Sequence, residues 1–289
     1  MSDIALIGAG KLGTNLGYAL RRKGYRIAVI SDKSLHAAQE SRKLIGQGKI
    51  TDDNRFAARQ GSWVILTVPD DAIDGVAEDL AGADVAWQGK FVFHCSGLLS
   101  SGSLTPLEKK GALVASLHPV QSFPQKKPDP GIFADIFFGL EGKTEALELA
   151  TRVTAQLGGR HFILEARNKP IYHTACSMAS NSITTLLDAA IRLLKQAGLT
   201  ETEASRVLFP LVQGTLQNVK KFDAGRALTG PVTRGDATSV AKHLEALGKD
   251  SELRDLYTKI ACQSLRIIKK GKMLSAEKIK ALEVLLEDK

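Results

Sequence analysis

Hydrophobic and polar positions change period part-way along the chain. Up to about residue 163, apolar runs of strand length alternate with helical patterns. The strand candidates are Ile4–Ile7, Arg26–Ser31, Trp63–Val68, Phe91–His94, Leu113–His118, Ile136–Leu140 and His161–Ile163. These runs are near-continuous rather than alternating, the pattern of strands covered on both faces. Their alternation with helices predicts a doubly wound, mainly parallel sheet. Beyond Glu165 helical periods take over, at 169–197, 201–222, 236–247, 250–270 and 275–287, with no strand pattern among them. The predicted fold class is α/β followed by all-α, with residues 1–164 as the first domain and 165–289 as the second.

Composition narrows the function classes. A chain of 289 residues, 44% of them hydrophobic, can build two ordinary domains. It has no run of about 18 apolar residues, so no membrane span is expected. The opening "MSDIALIGAG" enters a strand pattern with no basic region before an apolar one, which argues against a signal peptide. Cys95, Cys176 and Cys262 are far apart and odd in number. That is neither a disulfide framework nor a metal spacing, and it fits a reducing cytoplasm. The net charge is +8, but the basic pairs are scattered and lack interleaved aromatics. Nucleic-acid binding is therefore not expected, and the excess charge suits a phosphorylated cofactor or an acidic substrate.

"IALIGAGKLGTNLGYAL" sets Gly8, Gly10 and Gly13 between the first strand and the first helix. The first glycine allows a tight turn, the second lets the backbone approach a pyrophosphate, and the third lets helix pack on strand. With Ala9, Lys11 and Leu12, the turn presents free N–H groups at a helix N-terminus to phosphates. The second strand ends "VISDKS". Ser31 with Lys33 nearby suits the 2′-phosphate of NADP, while Asp32, one step on, would suit NAD. Val68 and Pro69 in "TVPDDAI", and Ser96 and Gly97 in "HCSG", close two further strands at the edge where such sheets bind ligands.

From Pro170 to Leu187 there is no Lys, Arg, Asp or Glu, in a chain that is 24% charged. A helix of that kind is expected to be central and buried. On it His173, Ser177, Asn181, Thr184 and Asp188 share one face. Such a stripe fits a polar seam between helices or a surface facing substrate. His173 is its acid/base candidate. His118, in "SLHPVQSFP", closes a strand at the ligand-binding end and is a second candidate.

Taken together, "GAGKLG", "SLHPVQSF", "YHTACSMASN" and "ALTGPVTRGD" resemble a family of proposed oxidoreductases. Members have a Rossmann-like N-terminal domain and a C-terminal domain of unknown function. More distantly the chain is similar to pyrroline-5-carboxylate reductase, 6-phosphogluconate dehydrogenase and deazaflavin-dependent NADP reductases. The resemblance implies a nicotinamide cofactor, a substrate cleft between domains and a helical domain, 6-phosphogluconate dehydrogenase C-terminal-like, used for homodimerisation. It also implies that the "ALTGPVTRGD" loop meets a small anionic substrate through Thr233, Arg234 and Asp236, with Asp236 equally suited to cap the next helix. The hydroxyacid-dehydrogenase relatives carry a catalytic lysine one turn before an asparagine. Here Asn181 is present, but Ser177 stands at the lysine position and Lys169 is three turns away. Two readings follow: an NAD(P)(H)-dependent oxidoreductase, or a non-catalytic NAD(P)-binding sensor.

Overall fold

Residues 3–248 and 251–287 are described by a computed structural model. From the N-terminus run β1 (Asp3–Ile7), α1 (Lys11–Arg22), β2 (Arg26–Ser31), α2 (Leu35–Ile45), β3 (Lys49–Thr51), α3 (Asn54–Gln60), β4 (Trp63–Leu66), α4 (Asp70–Ala81) and β5 (Phe91–His94). A 3-10 turn at Ser101–Leu104 leads into α5 (Thr105–Glu108), then β6 (Leu113–Pro119), β7 (Phe137–Gly142), α6 (Thr144–Leu157) and β8 (Arg160–Ile163). The strands form one sheet in the order β3-β2-β1-β4-β5-β6-β7-β8. Pairing is parallel from β3 to β6, reverses at β6–β7, and is parallel again between β7 and β8.

Alternate residues of each strand feed two cores. Ile4 and Leu6 of β1 pack with Leu16, Leu20, Ile27 and Phe93 on one face, while Ala5 and Ile7 pack with Val29, Val64, Leu66 and Ile73 on the other. Helices on both faces explain the near-continuous apolar strands. Local capping sets their starts: Ser34 accepts from Ala37 N–H to open α2, and Asp53 accepts from Phe56 N–H to open α3.

The chain divides into compact units at Asn181–Ser182, inside the long α7 (Lys169–Gln196) rather than at residue 164. The second unit contains α8 (Glu201–Lys221), α9 (Ala224–Ala227), α10 (Pro231–Arg234), α11 (Ala237–Ala246), α12 (Ser251–Lys270) and α13 (Ala276–Glu287). Its small core joins Val240 and Leu244 to Ala261, Leu265, Leu282 and Leu286. A capping box between Thr200 and Glu203 starts α8. Among the described residues, no helix is long and apolar enough to cross a membrane.

Three expectations need correction. The strand β3 carries no strand signal in the sequence. "ALTGPVTRGD" is not an irregular loop: Gly230 (φ 107°) admits the chain into the single turn α10, and Gly235 (φ 68°) ends it in the left-handed region. The uncharged segment of α7 is not buried within this chain; Ile171 is 70% exposed and Met178 67%. The predicted helix at 250–270 begins at residues that lie outside the described ones.

Candidate functional site

The glycine turn is built as its spacing requires. Gly8, at φ 105°, donates its N–H to Ser31 O, and a Cβ there would lie 2.7 Å from the Thr67 backbone. Thr67 in turn donates its hydroxyl to Gly8 O at 2.7 Å, tying β4 to the turn. A Cβ on Gly13 would overlap Gly8 O and the Thr67 hydroxyl. At Gly10 nothing lies within 4 Å of such an atom, and no side chain caps the helix it begins. That open space over uncapped N–H groups fits a pyrophosphate. Ala9 is buried, Leu12 packs on the core, and Lys11 is exposed at the mouth of the turn.

The end of β2 differs from expectation. Ser31 has no exposed surface, and its hydroxyl donates to Asn54 Oδ1 at 2.7 Å, so its side chain is not offered to a ligand. Asp32 braces the turn instead. Its carboxylate accepts Ala9 N–H at 2.7 Å and Ser34 N–H at 2.9 Å. Lys33 is exposed beside it.

Ser96 likewise works within the protein. It donates to Asp70 Oδ2 at 2.7 Å and accepts from the N–H groups of Leu98 and Leu99. Pro69 is the N-cap of α4, next to the half-buried Val68. Gly97 packs against two imidazoles: a Cβ there would be 2.6 Å from His173 Cδ2 and 2.9 Å from His118 Nε2.

Those imidazoles mark a cleft of about 570 Å³ beyond the end of β6. His118, from β6, and Tyr172, from α7, share a hydrogen bond of 2.6 Å between Nδ1 and the phenol oxygen. The His118 and His173 rings meet edge to face at 5.9 Å between centroids. Burial first, then the charges of Lys169 and His173, hold His118 down to about 4, so it is neutral at physiological pH. Burial, reinforced by Cys176, pushes the Tyr172 phenol well above its ordinary range. Ser177 and Asn181 line the same cleft, together with Gln121 and Ser122. Ser177, Asn181, Gln121 and Ser122 have no ionisable group, so they offer substrate hydrogen bonds rather than charge.

Tyr172 is the residue that sequence reasoning missed. Its one usable signal is its place beside His173 and one turn before Cys176. Thr184 and Asp188, further along the predicted stripe, are exposed.

In the second unit, Asp236 caps α11, accepting from Ser239 N–H at 3.0 Å and from the Ser239 hydroxyl at 2.7 Å. Both carboxylate oxygens are thus engaged, which is the helix-capping role among the two that the sequence offered. The Thr233 hydroxyl is buried without a partner among the described residues. The Arg234 guanidinium is exposed, while its carbonyl accepts from Lys278 Nζ at 3.2 Å.

Residues 2–119 match the Rossmann-like domain family, and residues 136–264 match the domain of unknown function DUF2520. The chain joins a Rossmann-like domain to a DUF2520 domain. The DUF2520 region begins at the last two strands and runs through most of the helical unit. No curated protein matches the sequence. Protein TM1727 from Thermotoga maritima is 28% identical, with a TM-score of 0.68 over 93% of this chain and 99% of its own. A candidate NADP oxidoreductase from Bacteroides fragilis is 24% identical, with a TM-score of 0.77 over 91% and 97%. A Plasmodium falciparum pyrroline carboxylate reductase with NADP bound is 14% identical, with a TM-score of 0.59 over 97% and 98%. The last two likenesses establish the shared fold.

Proposed function

We propose that the protein is an NAD(P)(H)-dependent oxidoreductase, preferring NADP(H), that acts on a small anionic substrate in the reducing cytoplasm. One observation carries the reading. The His118–Tyr172 hydrogen bond opens onto a polar cleft at the end of β6, in the unit that also holds the glycine turn. Structural relatives described as NADP oxidoreductase and as NADP-bound reductase support the cofactor. The hydride would be supplied or taken up by a nicotinamide held at the glycine turn, when bound. The chain's own task is the proton: the Tyr172 phenol can give one to the reduced substrate and regain it from solvent through neutral His118, to which it is hydrogen-bonded. Ser177 and Asn181 hold substrate polar groups, and His173 supports His118.

The preference for NADP(H) rests on Lys33 and on the engagement of both Asp32 oxygens by backbone N–H groups. The ratio of dissociation constants for NADPH and NADH measures it directly. A clear preference for NADH would assign Asp32 to the ribose.

The helical unit also supports a homodimer. Of the 21 residues of α8, only Ala204 is buried, while Val207 and Leu211, one turn apart on the same face, are 56% and 64% exposed. A second copy would cover that surface.

The test of the catalytic reading is turnover across a panel of keto acids and cyclic imines, alongside cofactor-fluorescence titration. His118→Gln and Tyr172→Phe should bind NADPH as the parent does, while turnover falls by about 10²–10⁴-fold. Tight cofactor binding by the parent with no turnover of any panel member would favour the non-catalytic sensor. Full turnover in both variants would remove the pair from the mechanism.

A further inference from the structure

Lys169 opens α7 and has no exposed surface. Its Nζ donates to Ser116 Oγ at 2.6 Å and to the Ser96 carbonyl at 3.1 Å. Neither acceptor is an anion; Glu141 on β7, Asp70 on α4 and the Cys95 thiol after β5 act on the ammonium only through their charge. Retaining a charge here is costly, and a neutral side chain of similar length would tether helix to sheet with less desolvation.

The neighbours of those two acceptors point to a role. Ser116 and His118 alternate on one face of β6, so the ammonium lies one step below the imidazole. Ser96 directly precedes Gly97, the residue against which both imidazoles pack. Lys169 therefore grips the two segments whose spacing defines the floor of the cleft.

We propose that Lys169 is a positioning residue: its ammonium clamps the Ser96–Gly97 turn to β6 beneath the His118–His173 pair and sets a positive charge there that further opposes protonation of His118, the partner of Tyr172. The inference rests on the catalytic reading of the cleft. The groups facing His118 are Lys169, Tyr172 and His173, all from α7; His94 on β5 also feels the Lys169 charge. Burial lowers Lys169 to about 8, against the pull of Glu141, Asp70 and Cys95, so it is charged at neutral pH while His118 is not.

The test combines imidazole and lysine NMR titrations with the pH profile of kcat/KM. In Lys169→Met, the His118 titration and the acid limb of the profile should both rise by about one pH unit, with NADPH affinity unchanged. If that variant does not fold, the parent protein still decides the matter. As Lys169 loses its proton near pH 8, the His118 ring nitrogens should show an inflection at the same pH. A folded Lys169→Met whose His118 titration and pH profile stay in place would make Lys169 a tether alone and overturn the proposal. So would a parent titration of Lys169 with no response at His118. Full turnover in His118→Gln, whatever the titrations show, would instead remove the catalytic reading and this role with it.

Discussion

Gly10 and Gly13 stand three residues apart, yet a side chain would meet opposite fates at each. Space is open at Gly10, whose φ of −71° any residue adopts, whereas Gly13 is pressed against Gly8 O. Gly10→Val should therefore keep its melting temperature while NADPH affinity, read by calorimetry, falls at least ~100-fold by obstruction of the phosphate path. Gly13→Ala should instead lose about 1–3 kcal/mol of stability by overpacking, read by urea denaturation. A second residue-scale consequence concerns His94, buried on β5. Its Nδ1 accepts from Ser96 N–H, so Nε2 carries the proton and donates to Ser100 O at 3.0 Å. Burial, the largest cause, lowers it to about 4. Between about 6.5 and 4 the unfolded chain takes up a proton that the native ring refuses, so stability is full above about 6.5 and declines as pH falls. The contribution of His94 is up to ~3 kcal/mol, and His118 acts in the same sense. Urea midpoints between pH 7.5 and 5 should show the decline, and His94→Gln should flatten it. At this scale the sequence made His118, His173 and the glycines legible through their positions at element ends. Tyr172 was hidden because its partner is 54 residues away, and Ser31 misled because the alternation of β2 turns that side chain toward Asn54.

Among the elements, the long helices and the long strands were readable from period alone, whereas the single-turn helices α9 and α10 were not. The three-residue β3 has partly exposed ends and too few positions to show a period. Nor could the reversal at β7 be seen, since strand direction is set by pairing partners and not by local composition. The single turn α10 is the element where chemistry and architecture separate most cleanly. Asp236→Ala removes the cap of α11 and should cost ~1 kcal/mol of stability with substrate KM unchanged. Arg234→Lys keeps the charge but loses the planar fork suited to a carboxylate or phosphate. It should raise substrate KM or abolish turnover without moving the melting temperature or NADPH affinity. A drop in melting temperature with unaltered KM would instead make Arg234 architectural.

For the whole molecule, the uncharged stretch of α7 was read as buried, yet the single chain leaves much of it open, together with the apolar side of α8. Composition can show that a surface needs covering, but not whether the cover comes from the same chain. The expected cover is a second copy, so sedimentation at micromolar concentration should give a dimer. Val207→Glu together with Leu211→Glu should convert it to monomer and lower the melting temperature. A monomeric parent would reject the homodimer. The reversal of the sheet has a consequence for how the site can vary. Because β8 delivers the chain to Lys169 through only residues 164–168, which end in the 3-10 turn Ala166–Asn168, the early part of α7 works as a ruler. Lys169 meets the level of Ser116, Tyr172 that of His118, and Ser177 and Asn181 line the cleft beyond. One residue inserted between Ile163 and Lys169 would rotate all of these marks together by about 100°. Replacements among the exposed positions 165–168 would leave them where they are. The length of that short spacer is thus as much a part of the cleft's specification as any side chain, and variants of this protein should tolerate its rewriting but not its lengthening.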